Sequence, residues 1–290
     1  MPGPDETKAT VAAGFAAMAA HYDGSGVPFF ARFADLLDAA AEPQPGWHVV
    51  DVGSGRGAVT FRLAEAVAPD GTVTAVDLSA AMVEALRTDL DAAGLSDVRT
   101  MVGDVEGLDL PTASADAVTA SMVLFFLPEL QAGLREIRRV LRPGGLLVFT
   151  VFGPSDPSWT PVYSALAARD PRTPQGADIS RPRHPGLAGP DATAQTLDRA
   201  GFVDVQQQRI DVEVAFESLE QWHRWSRSCG LRAVWESIPQ DARPAAVAAV
   251  DEQLRARQAE TGRLAEVFAV DVVVATSPGA PAAQRDGGPG

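Results

Sequence analysis

The fold of this chain is decided by the stretch VVDVGSGRGAVT, residues 49–60. A short apolar run contains Asp51, and three glycines follow it closely, Gly53, Gly55 and Gly57. An amphipathic segment begins directly after them. Glycines at the end of a strand allow a turn that other residues resist, and they let a ligand approach the backbone. The stretch therefore predicts a strand, a ligand-binding turn and a helix.

Strands and helices alternate from Trp47 to Phe152. The predicted strands are near-continuous apolar runs, which is typical of strands covered on both faces: WHVVDV, TVTAVDL, DVRTMVGD, DAVTASMVLF and GLLVFTVF. Two more strands are predicted later in the chain, FVDVQQQRIDVEV and EVFAVDVVVATS. The alternation indicates an α/β fold with a doubly wound, mostly parallel sheet.

Composition changes divide the chain into segments. We expect an N-terminal helical segment (1–45), a core (46–153), a Pro-rich lid insertion (154–190), a continuation of the core (191–214), a helical lid (215–262), a last core strand (263–276) and a disordered tail (277–290). Insertions in such a fold fall over the carboxyl ends of the strands, where ligands bind.

Composition also excludes several classes of function. The 24 basic side chains face 38 acidic ones, and the net charge of −14 repels phosphate backbones, so nucleic acid is not an expected partner. Cys229 is the only cysteine, which excludes an intrachain disulfide, and no metal site is predicted. The chain shows neither a signal peptide nor an apolar run of about 20 residues. We expect a cytoplasmic protein without membrane insertion.

An acid lies at or near the end of each of the first three predicted strands. The G-x-G-x-G spacing departs from the G-x-G-x-x-G that seats a pyrophosphate, and Asp51 beside it suits a ligand that carries an ammonium group. Asp77 can accept both hydroxyls of a ribose, or it can interact with a helix dipole. Asp104 can accept from an adenine amino group, or it can be a turn former.

Five segments in order resemble the motifs of class I S-adenosylmethionine-dependent methyltransferases, in the small-molecule branch related to ubiquinone and menaquinone biosynthesis. They are VVDVGSGRG, VTAVDLS, VGDVEGLDLP, DAVTASMVLFFLPEL and LREIRRVLRPGGLLVF. The resemblance implies a seven-stranded Rossmann-like sheet whose last strand is antiparallel. It also implies S-adenosyl-L-methionine as the cofactor and methyl transfer to a small, apolar or aromatic acceptor.

The resemblance assigns cofactor-binding residues one by one. Asp51, Gly53 and Gly55 would surround the methionine moiety, and Asp77 would hold the ribose. Leu78, Met82, Asp104 and Val105 would contact the adenine, and Ser121 would lie near the sulfonium. The N-terminal helical segment would cover the cofactor, with Tyr22 closing over it. Tyr22 could equally mark a plain helix end.

The acceptor site is predicted with alternatives open. Where relatives often carry a histidine pair, this chain has Phe125 and Phe126, which puts base catalysis from that loop in doubt and makes the pocket more apolar. The lid aromatics either line this pocket or pack within the lid: Trp159, Tyr163, Trp222, Trp225 and Trp235. Three histidines are candidate bases or plain packing residues, in the order His184, His21 and His223.

Three rival functions stay open. The fold could bind S-adenosylmethionine for a different reaction, such as a cyclisation. It could be a nicotinamide dehydrogenase, against which the glycine spacing and Asp51 argue. It could methylate a macromolecule, which the acidic charge disfavours for RNA. The sequence does not reveal the acceptor, the choice of O-, N- or C-methylation, the use of a base, or the oligomeric state, for which a homodimer is one option.

Overall fold

The computed structural model describes residues 3–20, 22, 24–174, 176–180 and 184–279. His21 and most of the predicted tail, from position 280 onward, lie outside the described residues.

Seven strands of the described chain form one sheet: β1 (His48–Val52), β2 (Thr72–Asp77), β3 (Arg99–Val102), β4 (Ala115–Ser121), β5 (Leu141–Phe152), β6 (Val203–Phe216) and β7 (Leu264–Thr276). Their order is β3-β2-β1-β4-β5-β7-β6. The first five strands pair in parallel, and β7 runs antiparallel to both β5 and β6. The predicted doubly wound, mostly parallel seven-stranded sheet is confirmed.

The helices lie on both sides of this sheet and at its edge: α1 (Pro4–Met18), α2 (Phe29–Ala41), α3 (Thr60–Val67), α4 (Ala80–Ala93), α5 (Leu130–Val140), α6 (Thr160–Ala167), α7 (Pro190–Ala200), α8 (Leu219–Ser228), α9 (Arg232–Ser237) and α10 (Arg243–Thr261). The predicted caps of α4 are correct. The Ser79 hydroxyl accepts from the Met82 N–H, and Gly94 ends the helix in the left-handed conformation.

One predicted strand was too long. We expected β4 to continue to Phe125, but it ends at Ser121 because Met122 takes a φ of 56°. The Met122 N–H bonds both the carbonyl and the hydroxyl of Thr150 on β5. Leu124–Phe126 then forms a single 3₁₀ turn. The chain therefore turns sharply out of the sheet at the carboxyl end of β4, on the side where the parallel strands β1 and β2 also end.

The strands β1, β2, β4 and the second half of β5 are buried on both faces, as their apolar sequences predict, whereas the edge strands β3 and β6 are largely half-buried or exposed. On one face, Leu37 of α2 and Leu63 of α3 pack in a cluster with Val49 of β1. On the other face, Leu134 of α5 packs in a cluster with Val50 of β1 and other strand residues. None of the described helices is both long and apolar enough to cross a bilayer. This packing holds the carboxyl ends of β1, β2 and β4 side by side.

Replacing Leu134 by alanine tests this packing. The side chain is fully buried, so we expect a loss of about 2–5 kcal/mol in the free energy of unfolding from lost burial and the cavity left behind. Denaturant unfolding measures the change. The matched control is Arg135→Ala, one position along α5 and exposed, for which we expect a change within about 0.5 kcal/mol. Equal effects of the two substitutions would contradict the assigned face.

Candidate functional site

The glycine turn after β1 is held in place by the carboxylate at the end of β2. Gly53 and Gly55 have φ values of 65° and 52°, a region that favours glycine, and a Cβ on Gly53 would collide with Val123. The Gly55 N–H donates to Asp77 Oδ2 at 2.9 Å, and the Ser79 N–H donates to Asp77 Oδ1 at 2.8 Å. One side chain thus positions both the turn and the start of α4.

The second buried carboxylate lies on β1 itself. Asp51 accepts hydrogen bonds from the Thr60 hydroxyl at 2.6 Å and the Thr119 hydroxyl at 2.9 Å. Burial raises the pKa of Asp51 to about 6, against the opposing effect of the two hydroxyls. Burial also raises the pKa of Asp77, while its two N–H partners act in the opposite direction. Both carboxylates would gain from a ligand that donates hydrogen bonds or carries positive charge.

Next to the turn lies a cavity of about 90 Å³, which we call the glycine-turn cavity. Its walls contain eight of the ten residues assigned to the cofactor: Tyr22, Gly53, Gly55, Asp77, Leu78, Asp104, Val105 and Ser121. Asp51 lines an adjoining cavity of about 230 Å³, which also contacts Tyr22 and both glycines. The structure therefore brings together residues from the ends of β1, β2, β3 and β4.

Met82 is the exception among these assignments. Its side chain is fully buried and clusters with Met18 and Ala19 at the end of α1, so it does not line the glycine-turn cavity. The position of Met82 in the first turn of α4 directs it at the helix that covers the cavity. Met82 therefore packs against α1, and the structure gives its predicted contact with adenine no support.

The chemistry of the glycine-turn cavity fits a nucleoside. A carboxylate has about four lone-pair sites, and Asp77 uses two of them within the protein, which leaves capacity for a pair of hydroxyls. Leu78 and Val105 supply apolar walls of the kind that a flat base needs, and Asp104 offers an acceptor beside them. At the other end, the buried Asp51 suits an ammonium group.

Helix α1 forms the outer wall of this cavity. Its residues Lys8, Val11, Ala12 and Phe15 line the cavity directly. The Lys8 ammonium lies 2.7 Å from Asp104 Oδ2 and 2.5 Å from Glu106 Oε2. Sequence reasoning did not identify Lys8, although one signal was present: it is the only lysine in the chain.

A second cavity, of about 310 Å³, lies on the far side of Tyr22 and is almost wholly aromatic and apolar. We call it the aromatic cavity; its described lining is Phe15, Met18, Tyr22, Phe29, Phe30, Met122, Phe125, Phe126, Phe152, Ile179, Ser180, Trp225, Cys229, Gly230, Leu231 and Phe268. It shares Phe15, Tyr22, Met122 and Phe126 with the glycine-turn cavity. The two cavities therefore meet at these four side chains.

The structure places Phe125, Phe126 and Trp225 in this lining, but not the other four lid aromatics considered for it: Trp159, Tyr163, Trp222 and Trp235. Trp159 is fully buried and its Nε1 donates to the Ala265 carbonyl at 3.1 Å, so it packs against β7.

Tyr163 donates from its hydroxyl to the buried Glu266 at 2.6 Å. Trp222 is fully buried within α8 packing, beside Trp225. Trp235 donates from Nε1 to the Ser226 hydroxyl at 3.0 Å. These four residues pack against other parts of the protein, and the structure gives their predicted contact with the acceptor no support. Residues of α2, β5 and β7 take their place.

Neither of the two candidate histidines that the structure describes, His184 and His223, lines the glycine-turn cavity or the aromatic cavity. His184 Nδ1 accepts from the Gly186 N–H at 3.0 Å, which places the proton of the neutral ring on Nε2 and leaves no free lone pair. His184 lines a separate small cavity with Arg209 and Asp271.

His223 Nε2 pairs with Asp251 at 2.8 Å, and the ring borders a cleft of arginines on another face. Burial lowers the pKa of both histidines. His21 lies outside the described residues. The geometry thus gives the base assignment of His184 and His223 no support.

Comparisons with known proteins agree with this geometry. Residues 50–149 match the family model described as a methyltransferase domain. The nocamycin O-methyltransferase of Saccharothrix syringae is 37% identical over 256 residues, which cover 84% of this chain and 91% of that protein. The aklanonic acid methyltransferase DauC of a Streptomyces species (strain C5) is 31% identical over 194 residues, 64% of this chain and 88% of that protein.

Among solved structures, the [4+2]-cyclase SpnF shares the fold with a TM-score of 0.53, at 20% identity over 86% of this chain and 81% of that one. At this identity the likeness concerns the fold alone. The match to the nocamycin enzyme, in contrast, spans nearly the whole of both chains. The chain therefore belongs to the class I S-adenosylmethionine-dependent methyltransferases, and it transfers a methyl group from S-adenosyl-L-methionine to a small molecule.

Proposed function

We propose that this enzyme methylates an oxygen of a small, largely apolar or aromatic acceptor that binds in the aromatic cavity. The observation that carries the proposal is the junction of the two cavities at Tyr22, Met122 and Phe126. An aromatic cavity with few polar groups selects a flat apolar body. Similarity to an O-methyltransferase over most of both chains supports oxygen as the methylated atom.

In this proposal, the cofactor would bind across the carboxyl ends of β1, β2 and β3. Asp77 would accept from the ribose hydroxyls and Asp104 from the adenine amino group, and Leu78 and Val105 would cover the base. Asp51 and the glycine turn would hold the methionine end. Ser121 lines the glycine-turn cavity directly before Met122, which lines both cavities. Tyr22 borders all three cavities, and its ring stacks on Phe30 at 4.5 Å between centroids.

When bound, S-adenosylmethionine supplies a methyl group on positively charged sulfur, an already activated leaving group. The chain's task is to align the acceptor oxygen with that methyl and to exclude water. The apolar walls of the aromatic cavity would exclude water, and Met122 and Phe126, which line both cavities, would separate the two ligands. Proximity of this kind supplies a large part of the acceleration without any charged catalytic group.

Few described groups near the aromatic cavity could take the proton that the acceptor hydroxyl loses. Among the described lining residues of the aromatic cavity, the ionisable groups are the Tyr22 hydroxyl and the Cys229 thiol. His21, next to Tyr22 in sequence, stays a candidate base. A phenolic or enolic hydroxyl loses its proton with the least assistance, so we propose an acceptor of that class.

A cyclase is the second candidate, because an aromatic cavity with few polar groups would also suit such a reaction. The two functions differ in one product. A methyltransferase converts S-adenosylmethionine to S-adenosylhomocysteine in step with the acceptor, whereas a cyclase leaves it intact.

The test of the proposal is a panel of phenolic and enolic polycyclic compounds incubated with S-adenosylmethionine that carries a deuterated methyl group. We expect release of S-adenosylhomocysteine and a labelled methoxy group, which NMR distinguishes from a labelled C- or N-methyl group. Rearrangement of a compound without release of S-adenosylhomocysteine would favour the cyclase. A label on carbon or nitrogen would contradict the choice of oxygen.

Asp77→Ala should weaken the binding of S-adenosylhomocysteine. Loss of a carboxylate that accepts from two hydroxyls costs about 1.5–3 kcal/mol, or ten- to a hundredfold in affinity. Calorimetry on the folded variant measures the change. Asp91→Ala, an exposed acid on the same α4 region, is the matched control and should bind normally. Unchanged affinity in Asp77→Ala would refute the ribose assignment.

Affinity for S-adenosylhomocysteine should rise with pH up to about 6, because the Asp51 carboxyl has a pKa of about 6 and the ligand's ammonium favours its ionised form. Well below that pH, the affinity should rise by almost tenfold per pH unit, because binding then releases about one proton. Asp51→Asn should flatten this dependence. Asp77 acts in the same direction, so a small slope remains. Calorimetry in buffers of different ionisation enthalpy counts the protons, and an unchanged slope in Asp51→Asn would contradict the role.

His184→Ala should lower turnover by less than about tenfold, below the usual contribution of a general base. The reason is the geometry: Nδ1 is occupied by the Gly186 N–H and the ring lies outside the aromatic cavity. Steady-state turnover with the acceptor found in the panel measures the effect. A hundredfold loss in a folded variant would restore His184 as a candidate base.

A further inference from the structure

The only lysine of this chain lies at the cofactor site. The sequence has 24 basic side chains, of which Lys8 alone is not an arginine. Lys8 lines the glycine-turn cavity from α1, and its ammonium bridges Asp104 and Glu106. We propose that Lys8 is a positioning residue for the cofactor: it fastens α1 over the adenine end of the cavity, and this bridge must open for cofactor to enter and product to leave. The inference rests on the proposed function, which assigns that cavity to the cofactor.

The acceptors of the bridge are fixed to the core of the protein. Asp104 Oδ1 accepts from the Glu106 N–H at 2.9 Å, and Glu106 Oε1 accepts from the Glu129 N–H at 2.8 Å, just before α5. In each carboxylate, a backbone N–H thus fixes one oxygen, and the other oxygen contacts the Lys8 ammonium. Both carboxylates lie in the loop after β3, and Glu106 is also tied to the segment just before α5, so the partner that can move is the ammonium on α1.

A lysine suits this place better than an arginine. An ammonium is a compact charge with three donors that can point at two carboxylates at once, whereas a guanidinium favours a planar pairing with one. The Lys8 side chain is only 19% exposed. Burial alone would lower the pKa of Lys8, but its hydrogen bonds to Asp104 and Glu106 outweigh that effect and raise it. The ammonium therefore stays charged while it closes the cavity.

The other end of α1 is fastened separately. Arg56, within the glycine turn, donates to the Ala19 carbonyl at 3.3 Å, and Arg232 of α9 donates to the Ala17 carbonyl. Met18 and Ala19 also cluster with Met82 of α4. Lys8 lies ten residues before Met18, or about 15 Å along the helix axis. Opening of the Lys8 bridge can thus free the first half of α1 while its end stays attached.

A bound nucleoside would strengthen this closure. Asp104 uses one lone pair for the Glu106 N–H and another for Lys8, which leaves capacity for an amino group at the same carboxylate. Without the ammonium, the carboxylates of Asp104 and Glu106 would face each other as like charges beside the cavity. Lys8 therefore favours the ligand-bound state by holding both the cover and the acceptor in place.

The test measures dissociation of S-adenosylhomocysteine by stopped flow in the wild type, in Lys8→Met and in a control, Arg87→Met. Arg87 forms an exposed ion pair with Glu84 on α4 and does not line the cavity. We expect dissociation about tenfold faster in Lys8→Met, as for loss of a partly buried charge pair, and unchanged in Arg87→Met. Added salt should speed dissociation from the wild type more than from Lys8→Met.

A second measurement needs no variant. Because Lys8 is the only lysine, acetylation by an N-hydroxysuccinimide ester reports on its bridge, apart from the terminal amine, which peptide mass spectrometry separates. We expect saturating S-adenosylhomocysteine to slow acetylation of Lys8. An unchanged dissociation rate in a folded Lys8→Met variant, or acetylation that ignores the ligand, would overturn the role of Lys8. Failure of the wild type to bind S-adenosylhomocysteine would instead overturn the proposed function.

Discussion

The site depends on one buried carboxylate at the end of β2. Asp77 holds the glycine turn of β1 through the Gly55 N–H and the start of α4 through the Ser79 N–H. Burial makes ionisation of this group unfavourable, as its raised pKa shows, and two backbone donors offset only part of that cost. A carboxylate kept in this state is a preorganised acceptor, because its orientation is fixed before any hydroxyl arrives.

The second constraint is the sharp departure of the chain from the sheet after β4. Met122 adopts a positive φ, which is unusual for a residue with a side chain, and Thr150 on β5 holds its N–H. This turn sends the Met122 side chain to the boundary between the glycine-turn cavity and the aromatic cavity. The glycine-turn cavity and the aromatic cavity are thus built by adjacent segments at the carboxyl ends of the strands.

Local signals predicted the parts of the site that lie next to strands. Asp51, Asp77 and Asp104 each lie in or directly after a strand with a clear apolar pattern, so parallel pairing was enough to bring them together. Met82 was misplaced because helix periodicity alone does not say whether a buried side chain faces a ligand or a covering helix. Lys8 was missed because its partners, Asp104 and Glu106, are almost a hundred positions away in sequence.

The aromatic cavity was the least predictable part. Its walls come from α1, α2, the turn after β4, β5, α8 and β7. No pattern of residue spacing in the sequence indicates that these segments meet. The lid tryptophans looked like ligand contacts by composition, yet Trp159 and Trp222 are wholly buried in packing. Phe29 of α2 and Phe268 of β7 line the cavity instead. Their rings meet edge to face, with centroids 5.0 Å apart.

A crystal structure with S-adenosylhomocysteine tests the central claim most directly, because the claim concerns where the ligand lies relative to Asp77 and the aromatic cavity. The account predicts that the ribose hydroxyls donate to the Asp77 carboxylate and that the sulfur points toward the junction at Tyr22, Met122 and Phe126. A nucleoside bound elsewhere, or a sulfur directed away from the aromatic cavity, would contradict it.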